Sequence, residues 1–257
     1  MANCNERLKL ELDLIEKKYF LTVKQLAHEV NASQMTIRRD LYKLEKMNAV
    51  KIVHGGVTFI EHSLVNDLKY SLESEQNKNT ELKKAIAQRA IQLLEPNDVI
   101  FLDSGTTIQM LAEQIPTGIP YTIITSSFNT LEVVVKLPEC TIISTGGVFS
   151  RKPLVFYDIE SANYIRKFRA NKAFIGTTGY ELELGLTCGY FEDAPLKRAM
   201  IESSKYKVLL LDSTKFGKVS TCMFAKISDF SVVITDKGIP QEYIKQIHDH
   251  KVELIIV

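Results

Sequence analysis

The stretch Ser33-Gln34-Met35-Thr36-Ile37-Arg38-Arg39-Asp40-Leu41 has the spacing of an amphipathic helix. Its apolar side chains recur every three to four residues, at Ile37, Leu41 and Leu44. At about 100° per residue, the opposite side presents mainly polar, cationic and aromatic side chains. These side chains are Met35, Arg39, Tyr42 and Lys46, with Thr36 and Lys43 beside them and Gln34 and Arg38 on the flank. The pattern predicts a helix with one buried face and one face available to a partner.

A shorter amphipathic helix is predicted directly upstream, over residues 23–30. Thr22 is suited to cap its N-terminus, and Ser33 is suited to cap the helix that follows the break at Asn31-Ala32. Downstream, residues 49–57 read as a short strand, a Gly-Gly turn and the start of a second strand. Two helices, a tight turn and a β-wing predict a winged helix-turn-helix domain, with a further helix before it in residues 5–18.

The outer face of the second helix has the chemistry of a DNA reader. Arginine pairs with guanine and glutamine with adenine, whereas short hydroxyls and lysine hold phosphates. The predicted DNA-contacting residues are Thr22, Ser33, Gln34, Met35, Thr36, Arg38, Arg39, Tyr42, Lys43, Lys51 and His54. The alternative is an ordinary basic surface helix, which the adjoining wing disfavours. The pattern does not rank Gln34, Met35 and Arg38 as readers of bases.

From residue 79 onward, continuous apolar runs alternate with helical patterns. Strands are predicted at 99–102, 121–124, 141–144, 172–175, 207–211, 231–234 and 253–257, and helices at 83–94, 108–114 and 129–137. Strands that are apolar throughout and separated by helices predict a largely parallel sheet covered on both faces, an open α/β domain of Rossmann type. We therefore expect a winged helix-turn-helix domain in residues 1–57, a linker in 58–74 and an α/β domain in 75–257.

Small and polar residues follow several of the predicted strands. In open α/β sheets, ligands bind beyond the carboxyl ends of the strands. The residues that we expect to hold a ligand there are Asp103, Ser104, Gly105, Thr106, Thr107, Thr125, Ser126, Gly146, Gly147, Gly176, Gly179 and Lys215. The segment from Asp103 to Thr107 opens directly into a helix, and such a helix N-terminus suits an anion. Each loop taken alone could equally need these residues for turns and caps.

Composition points to a globular protein and not to a membrane protein. Apolar residues make up 45% and charged residues 25% of the 257 residues, and no run approaches the roughly 18 apolar residues of a membrane span. The four cysteines have neither metal nor disulfide spacing, so we expect reduced thiols in a cytoplasm, with no metal and no cofactor. Residues 1–57 hold ten Lys/Arg and seven Asp/Glu, against 22 and 24 in the remaining 200. This mild asymmetry suits a DNA-binding head.

The motifs together resemble those of the DeoR family of bacterial transcriptional regulators. The resemblance rests on Thr36-Ile37-Arg38-Arg39-Asp40-Leu41, His54-Gly55-Gly56, Phe101-Leu102-Asp103-Ser104-Gly105-Thr106-Thr107, Gly146-Gly147, Lys197-Arg198-Ala199-Met200 and Asp212-Ser213-Thr214-Lys215. It implies a sensor domain similar to ribose-5-phosphate isomerase and glucosamine-6-phosphate deaminase, and a phosphorylated sugar as effector. It also implies a homodimeric or homotetrameric repressor of a sugar-utilisation operon that binds double-stranded operator DNA.

The rival interpretation is a sugar-phosphate isomerase or deaminase that carries a DNA-binding head. Enolisation needs a carboxylate base beside the sugar carbon. The loop after the predicted strand at 172–175 holds no carboxylate before Glu181, and we expect Glu192 and Asp193 to be ordinary loop or helix-cap acids. The sequence therefore favours binding without turnover.

Overall fold

The computed structural model describes the chain in several segments. These are residues 7–8, 10–12, 14–15, 20–46, 50–53, 56–59, 78–151 and 153–257. The chain divides into two compact units, residues 1–69 and 70–257. Most of the predicted linker lies outside the described residues, but its first two residues, Thr58 and Phe59, continue a strand instead.

The N-terminal unit is a winged helix-turn-helix domain. It consists of helical residues in 7–15, β1 (Phe20–Leu21), α1 (Val23–Glu29), α2 (Gln34–Lys46), β2 (Val50–Val53) and β3 (Gly56–Phe59). Strands β2 and β3 form the predicted antiparallel wing, and β1, which the sequence analysis did not predict, pairs with β3. Ile37, Leu41 and Leu44 are buried with Leu26 and Val57, so the apolar face of α2 is the one that packs. Asn31 takes a left-handed conformation (φ 50°) that makes the tight turn between the helices.

The C-terminal unit is an α/β domain. Its helices are α3 (Thr80–Ile91), α4 (Thr106–Ala112), α5 (Phe128–Val134), α6 (Ser161–Arg166), α7 (Asp193–Glu202) and α8 (Gln241–Asp249). Its strands are β4 (Val99–Leu102), β5 (Thr122–Thr125), β6 (Thr141–Ser144), β7 (Val148–Ser150), β8 (Val155–Tyr157), β9 (Ala170–Gly176), β10 (Gly179–Glu181), β11 (Gly185–Cys188), β12 (Ser204–Leu210), β13 (Cys222–Ala225), β14 (Val232–Thr235) and β15 (Glu253–Ile256).

Seven of these strands form one parallel sheet in the order β15-β14-β12-β9-β4-β5-β6. Two separate apolar clusters cover it, one around Phe101 and Leu209, the other around Ile100 and Leu210. Because neighbours along a strand point to opposite faces, these adjacent pairs put a core on each side of the sheet. The predicted open α/β fold is confirmed, and the carboxyl ends of β4, β9 and β12 lie side by side.

Two smaller antiparallel features were not predicted. Strands β7 and β8 form a hairpin, and β10, β11 and β13 form a three-stranded sheet. Each strand has only three or four residues, and Gly, Ser or Thr interrupts the apolar pattern of β7, β10 and β11. Strands β8 and β13 are apolar throughout, and the sequence analysis overlooked them. Helix α3 also begins earlier than predicted, at Thr80 in place of Lys83.

Candidate functional site

Hydrogen bonds at the N-termini of α1 and α2 fix these two helices of the N-terminal unit. The Oγ1 of Thr22 accepts from the N–H of Gln25 at 3.2 Å, and Gln25 Oε1 accepts from the N–H of Thr22 at 2.9 Å. The Oγ of Ser33 accepts from the N–H of Thr36 at 3.1 Å and lies 2.9 Å from Thr36 Oγ1. Thr22 and Ser33 therefore cap their helices. One of the hydroxyls of Ser33 and Thr36 donates to the other, which leaves the second O–H able to donate to a phosphate oxygen.

The outer face of α2 is open, as its pattern predicts. Met35 is 78% exposed and Tyr42 is 62% exposed, which is unusual for large apolar and aromatic side chains. Gln34, Arg38 and Arg39 are also exposed. A groove runs along this face, lined by Gln34, Arg38 and Tyr42 and bordered on the wing side by Ile52 and Gly56. His54 and the side chain of Lys51, both predicted to contact DNA, lie outside the described residues.

Asp40 connects α2 to the helical residues in 7–15 through Arg7. Its carboxylate is fully buried and accepts from Arg7 Nε at 2.8 Å and Arg7 Nη2 at 2.6 Å. Lys43, predicted to hold a phosphate, donates to Asp40 Oδ1 at 3.3 Å. Nearby, burial and then the charge of Asp40 raise the pKa of Glu11 to about 7. Both Arg7 donors contact the same oxygen, Oδ2, and this charged contact holds α2 against the helical residues in 7–15.

In the C-terminal unit, a cleft opens at the carboxyl ends of β4, β9 and β12. It is lined by Lys83, the segment from Ser104 to Ile108, Pro153, Gly176, Thr177, Thr178, Asp193, Lys197, Leu210, Leu211, Asp212 and Lys215. Six residues of the predicted ligand set meet here: Ser104, Gly105, Thr106, Thr107, Gly176 and Lys215. They come from three strand ends that are remote in sequence, so their convergence comes from the parallel sheet.

Asp103 stands behind this cleft and joins three elements. Its Oδ2 accepts from the N–H of Gly176 at 2.9 Å and from the ammonium group of Lys197. Lys197 also donates to the carbonyl oxygen of Gly176 at 3.1 Å. Asp103 thus connects β4, β9 and α7, a more specific role than the two that its position in the sequence left open.

A second carboxylate, Asp193, shares the buried end of the cleft with Lys197. Burial, partly opposed by the charge of Lys197, raises the pKa of Asp193 to about 7. Burial lowers the pKa of Lys197, but Asp103 and Asp193 more than offset this, and the net direction is upward. Lys197 is therefore charged at neutral pH, while Asp193 is divided between its two protonation states. The expectation that Asp193 is an ordinary cap acid misses this position in the cleft.

The other end of the cleft combines two lysines with a carboxylate. Lys83 of α3 and Lys215 line it together with Asp212, whose Oδ1 accepts from the N–H of Thr214 at 3.0 Å and from Asn79 Nδ2 at 3.2 Å. Ammonium groups beside the backbone and hydroxyls of the segment from Ser104 to Thr107 suit an oxyanion.

Five residues of the predicted ligand set do not line this cleft. Thr125 and Ser126 are buried, and Thr125 Oγ1 accepts from the N–H of Ser127 at 3.0 Å. A Cβ on Gly147 would lie 2.7 Å from the carbonyl oxygen of Tyr157, and Gly146 precedes it with φ 65°. A Cβ on Gly179 would overlap the carbonyl oxygen of Lys218. In Thr125, Gly147 and Gly179 the structure shows a local structural role.

The sequence analysis missed Lys83, Lys197, Asp193, Asp212, Thr177 and Thr178 as cleft residues. Lys83 precedes Ile86, Ala87 and Ala90 at helical spacing, and Lys197 precedes Met200 and Ile201 in the same way. A lysine on the apolar stripe of a helix is seldom buried without a charged partner. The position of each lysine on the apolar stripe of its helix could therefore have identified both as buried residues with a charged partner. No comparable local signal marks Thr177 and Thr178.

Comparison with known protein families supports the same two units. The model of the DeoR-like helix-turn-helix domain matches residues 7–63, and that of the DeoR C terminal sensor domain matches residues 78–237. The chain belongs to the DeoR family. It is 32% identical over 255 residues to an HTH-type transcriptional regulator of Haemophilus influenzae, covering 98% of this chain and 97% of that one. DeoR membership makes the chain a DNA-binding transcriptional regulator.

Three further similarities concern a named repressor and two solved structures. The deoxyribose operon repressor of Escherichia coli is 29% identical, over 97% of both chains. Ribose 5-phosphate isomerase A of Methanocaldococcus jannaschii aligns with 54% of this chain and 55% of its own at 18% identity and a TM-score of 0.40. The sorbitol operon regulator SorC of Klebsiella pneumoniae aligns with 98% and 96% at 13% identity and a TM-score of 0.36.

Membrane spans and metal clusters are both absent from the described residues of this DeoR-family chain. No described helix is long and apolar enough to cross a membrane. Within the same residues, no group of three or more His, Cys, Asp and Glu side chains is placed to hold a metal ion.

Proposed function

We propose that the chain is a repressor whose C-terminal cleft binds a phosphorylated sugar, and that this ligand lowers its affinity for operator DNA. The observation that carries the proposal is the meeting of Lys83, Lys215 and the segment from Ser104 to Thr107 in one cleft. Two ammonium groups and a run of hydroxyls and backbone N–H groups match a phosphate dianion. The hydroxyl and carboxylate groups deeper in the cleft match sugar hydroxyls.

The DNA side of the proposal rests on the outer face of α2. Arg38, Arg39, Gln34 and Tyr42 are exposed on a helix whose opposite face is packed. In a cytoplasmic homodimer or homotetramer, two such helices would enter successive major grooves of a repeated operator. The ligand relieves repression only if it binds more tightly to a conformation that holds DNA poorly.

The test is fluorescence anisotropy of labelled DNA from upstream of the protein's own operon, titrated with protein at fixed salt. Each titration is repeated with a panel of sugar phosphates and their unphosphorylated sugars. We expect one phosphosugar to raise the dissociation constant while its parent sugar does not. DNA binding that no phosphosugar alters would overturn the effector part of the proposal.

Two pairs of variants separate the two sites. Arg39→Ala should weaken operator binding about 10-fold or more, as the loss of one good base contact would, while leaving ligand binding unchanged. Its control is Lys136→Ala, an exposed lysine of the C-terminal unit. Thr106→Leu fills the cleft beside the anion position, so DNA binding should persist without induction. Its control is Thr117→Leu, at an exposed loop position. Normal induction of Thr106→Leu would count against the cleft.

A second candidate function is turnover of a sugar phosphate. Buried Asp193 favours it, because burial raises its pKa to about 7 and such a carboxylate can exchange a proton at neutral pH. Glu181 is the first acid after the strand that ends at Gly176. Its carboxylate instead accepts from the N–H groups of Glu183 and Leu184 and caps its own turn. We favour binding without turnover. Consumption of a panel phosphosugar that is lost in Asp193→Asn would establish the enzyme.

A further inference from the structure

The two carboxylate oxygens of Asp212, a residue that lines the cleft, differ in the number of hydrogen bonds that they accept. The residue is 1% exposed, and its Oδ1 accepts from Thr214 N, Thr214 Oγ1 and Asn79 Nδ2. Its Oδ2, equally buried, accepts no hydrogen bond from any residue that the structure describes. One oxygen of the carboxylate is therefore held by three donors and the other by none.

An unpaired buried acceptor is expensive. On burial it loses its hydrogen bonds to water without replacement, and the cost is larger when the group is charged. The described part of the chain has other buried oxygens without a hydrogen bond, in the carboxylates of Glu11 and Glu192 and the hydroxyls of Thr130, Ser220 and Thr235, but those residues do not line the cleft. Asp212, in contrast, lines the cleft. Its unpaired oxygen points to a donor that belongs to a ligand.

Asp193, which also lines the cleft, has few hydrogen-bond donors near it. Among the described residues, its carboxylate has one hydrogen bond, from Ser104 Oγ at 3.5 Å, which is long for a hydroxyl donor. The neighbouring ammonium group of Lys197 donates to Asp103 and to the carbonyl oxygen of Gly176. Asp212 thus has one carboxylate oxygen without a donor among the described residues, and Asp193 has one distant donor.

From this arrangement we infer that Asp212 and Asp193 select the ligand by accepting hydrogen bonds from its hydroxyl groups. The ligand class is then a polyol phosphate whose hydroxyls reach both carboxylates. Inorganic phosphate and simple alkyl phosphates satisfy the lysines but leave the carboxylates unpaired. The inference rests on the proposed function, because it takes the phosphate site at Lys83 and Lys215 as given and names what recognises the rest of the molecule.

The experiment compares phosphate monoesters that differ in hydroxyls alone. Isothermal titration calorimetry of the full-length chain uses glycerol 3-phosphate against n-propyl phosphate, and ribose 5-phosphate against 2-deoxyribose 5-phosphate. In the wild type, we expect the member with more hydroxyls to bind at least 10-fold more tightly in at least one pair. Asp212→Asn and Asp193→Asn, measured separately, should each reduce that preference at least 5-fold, because an amide presents fewer acceptor sites than a carboxylate.

A matched control separates this effect from loss of stability. Asp98→Asn removes a buried carboxylate that pairs with Lys172 at 2.6 Å and does not line the cleft. It should lower the thermal unfolding midpoint and leave the hydroxyl preference unchanged. Thermal unfolding of each variant shows that it is folded at the titration temperature.

The outcomes distinguish the inference from the proposed function. Equal affinity for both members of every pair, or an unchanged preference in both folded aspartate variants, would overturn the inference and leave the phosphate site standing. If no phosphate monoester binds at all, the proposed function fails, and the inference fails with it. If one variant does not fold, the other decides.

Discussion

The ammonium group of Lys197 on α7 donates to the carboxylate of Asp103 at the end of β4, ninety-four residues earlier in the chain. Both side chains are less than 5% exposed. Their contact joins the helix that carries Asp193 to the strand end that carries the segment from Ser104 to Thr107. The geometry of the cleft therefore depends on the buried ion pair between Lys197 and Asp103.

Removing one member of that pair leaves an uncompensated buried charge. Lys197→Met should lower the free energy of unfolding by about 3–5 kcal/mol, the range for breaking a buried ion pair. Urea denaturation followed by circular dichroism measures it. The control is Lys84→Met, whose partner Glu81 is exposed, and there we expect about 0–1 kcal/mol. Similar small losses in both variants would show that Asp103 tolerates the absence of its partner.

The DNA-binding unit should lose stability as pH rises. Burial and the charge of Asp40 raise the pKa of Glu11 from 4.5 to about 7. Between these values the folded chain keeps a proton that the unfolded chain has released, so the free energy of unfolding falls with increasing pH. Glu11→Gln removes this titration. We expect the variant to have a flatter dependence between pH 5 and 7 and to be more stable than wild type at pH 8.

This pH dependence can be measured on the full-length chain with a probe in the N-terminal unit. Hydrogen exchange of amides in α1 and α2 reports local stability at each pH. The conservative change Glu45→Gln, at a residue whose carboxylate accepts from the N–H of Ile52 at 2.8 Å, is the control. A wild-type slope that persists in Glu11→Gln would assign the titration to another group.

Gly179 should prove to be a packing residue. Gly179→Ala places a Cβ against the carbonyl oxygen of Lys218, so β10 must move. We expect a loss of about 1–3 kcal/mol, the usual cost of inserting a methyl group into packed structure. Gly176→Ala is the control, since its Cβ would lie 3.4 Å from the nearest atom, the carbonyl oxygen of Ser104. Equal stabilities of the two variants would refute the assignment.

The two cysteines that face each other across β11 and β13 should differ in reactivity. Cys188 and Cys222 are register partners, and Cys188 is 1% exposed. Burial raises the pKa of the Cys188 thiol to about 12, so almost none of it is thiolate at neutral pH. Iodoacetamide should label Cys222 first and Cys188 only after unfolding, as mass spectrometry of peptides would show. Prompt labelling of Cys188 in the folded protein would contradict its burial.

The sequence identified those parts of the fold that depend on local pattern. The apolar spacing of Ile37, Leu41 and Leu44 placed the buried face of α2 correctly, and the continuous apolar runs located all seven strands of the parallel sheet. The short strands β7, β8, β10, β11 and β13 were missed. Gly, Ser or Thr interrupts β7, β10 and β11. Strands β8 and β13 are apolar throughout, but an apolar run of three or four residues does not by itself distinguish a strand from another buried segment.

The candidate site divides in the same way. The sequence alone determined that polar loops follow the strands and that the segment from Ser104 to Thr107 opens a helix. The tertiary structure decided which of those loops meet: it brought Gly176 and Lys215 to that segment and left Thr125 and Gly147 elsewhere. It also added Lys83 and Lys197. A periodic pattern reports only which way a side chain faces, whereas the order of strands in a parallel sheet sets which distant strand ends become neighbours.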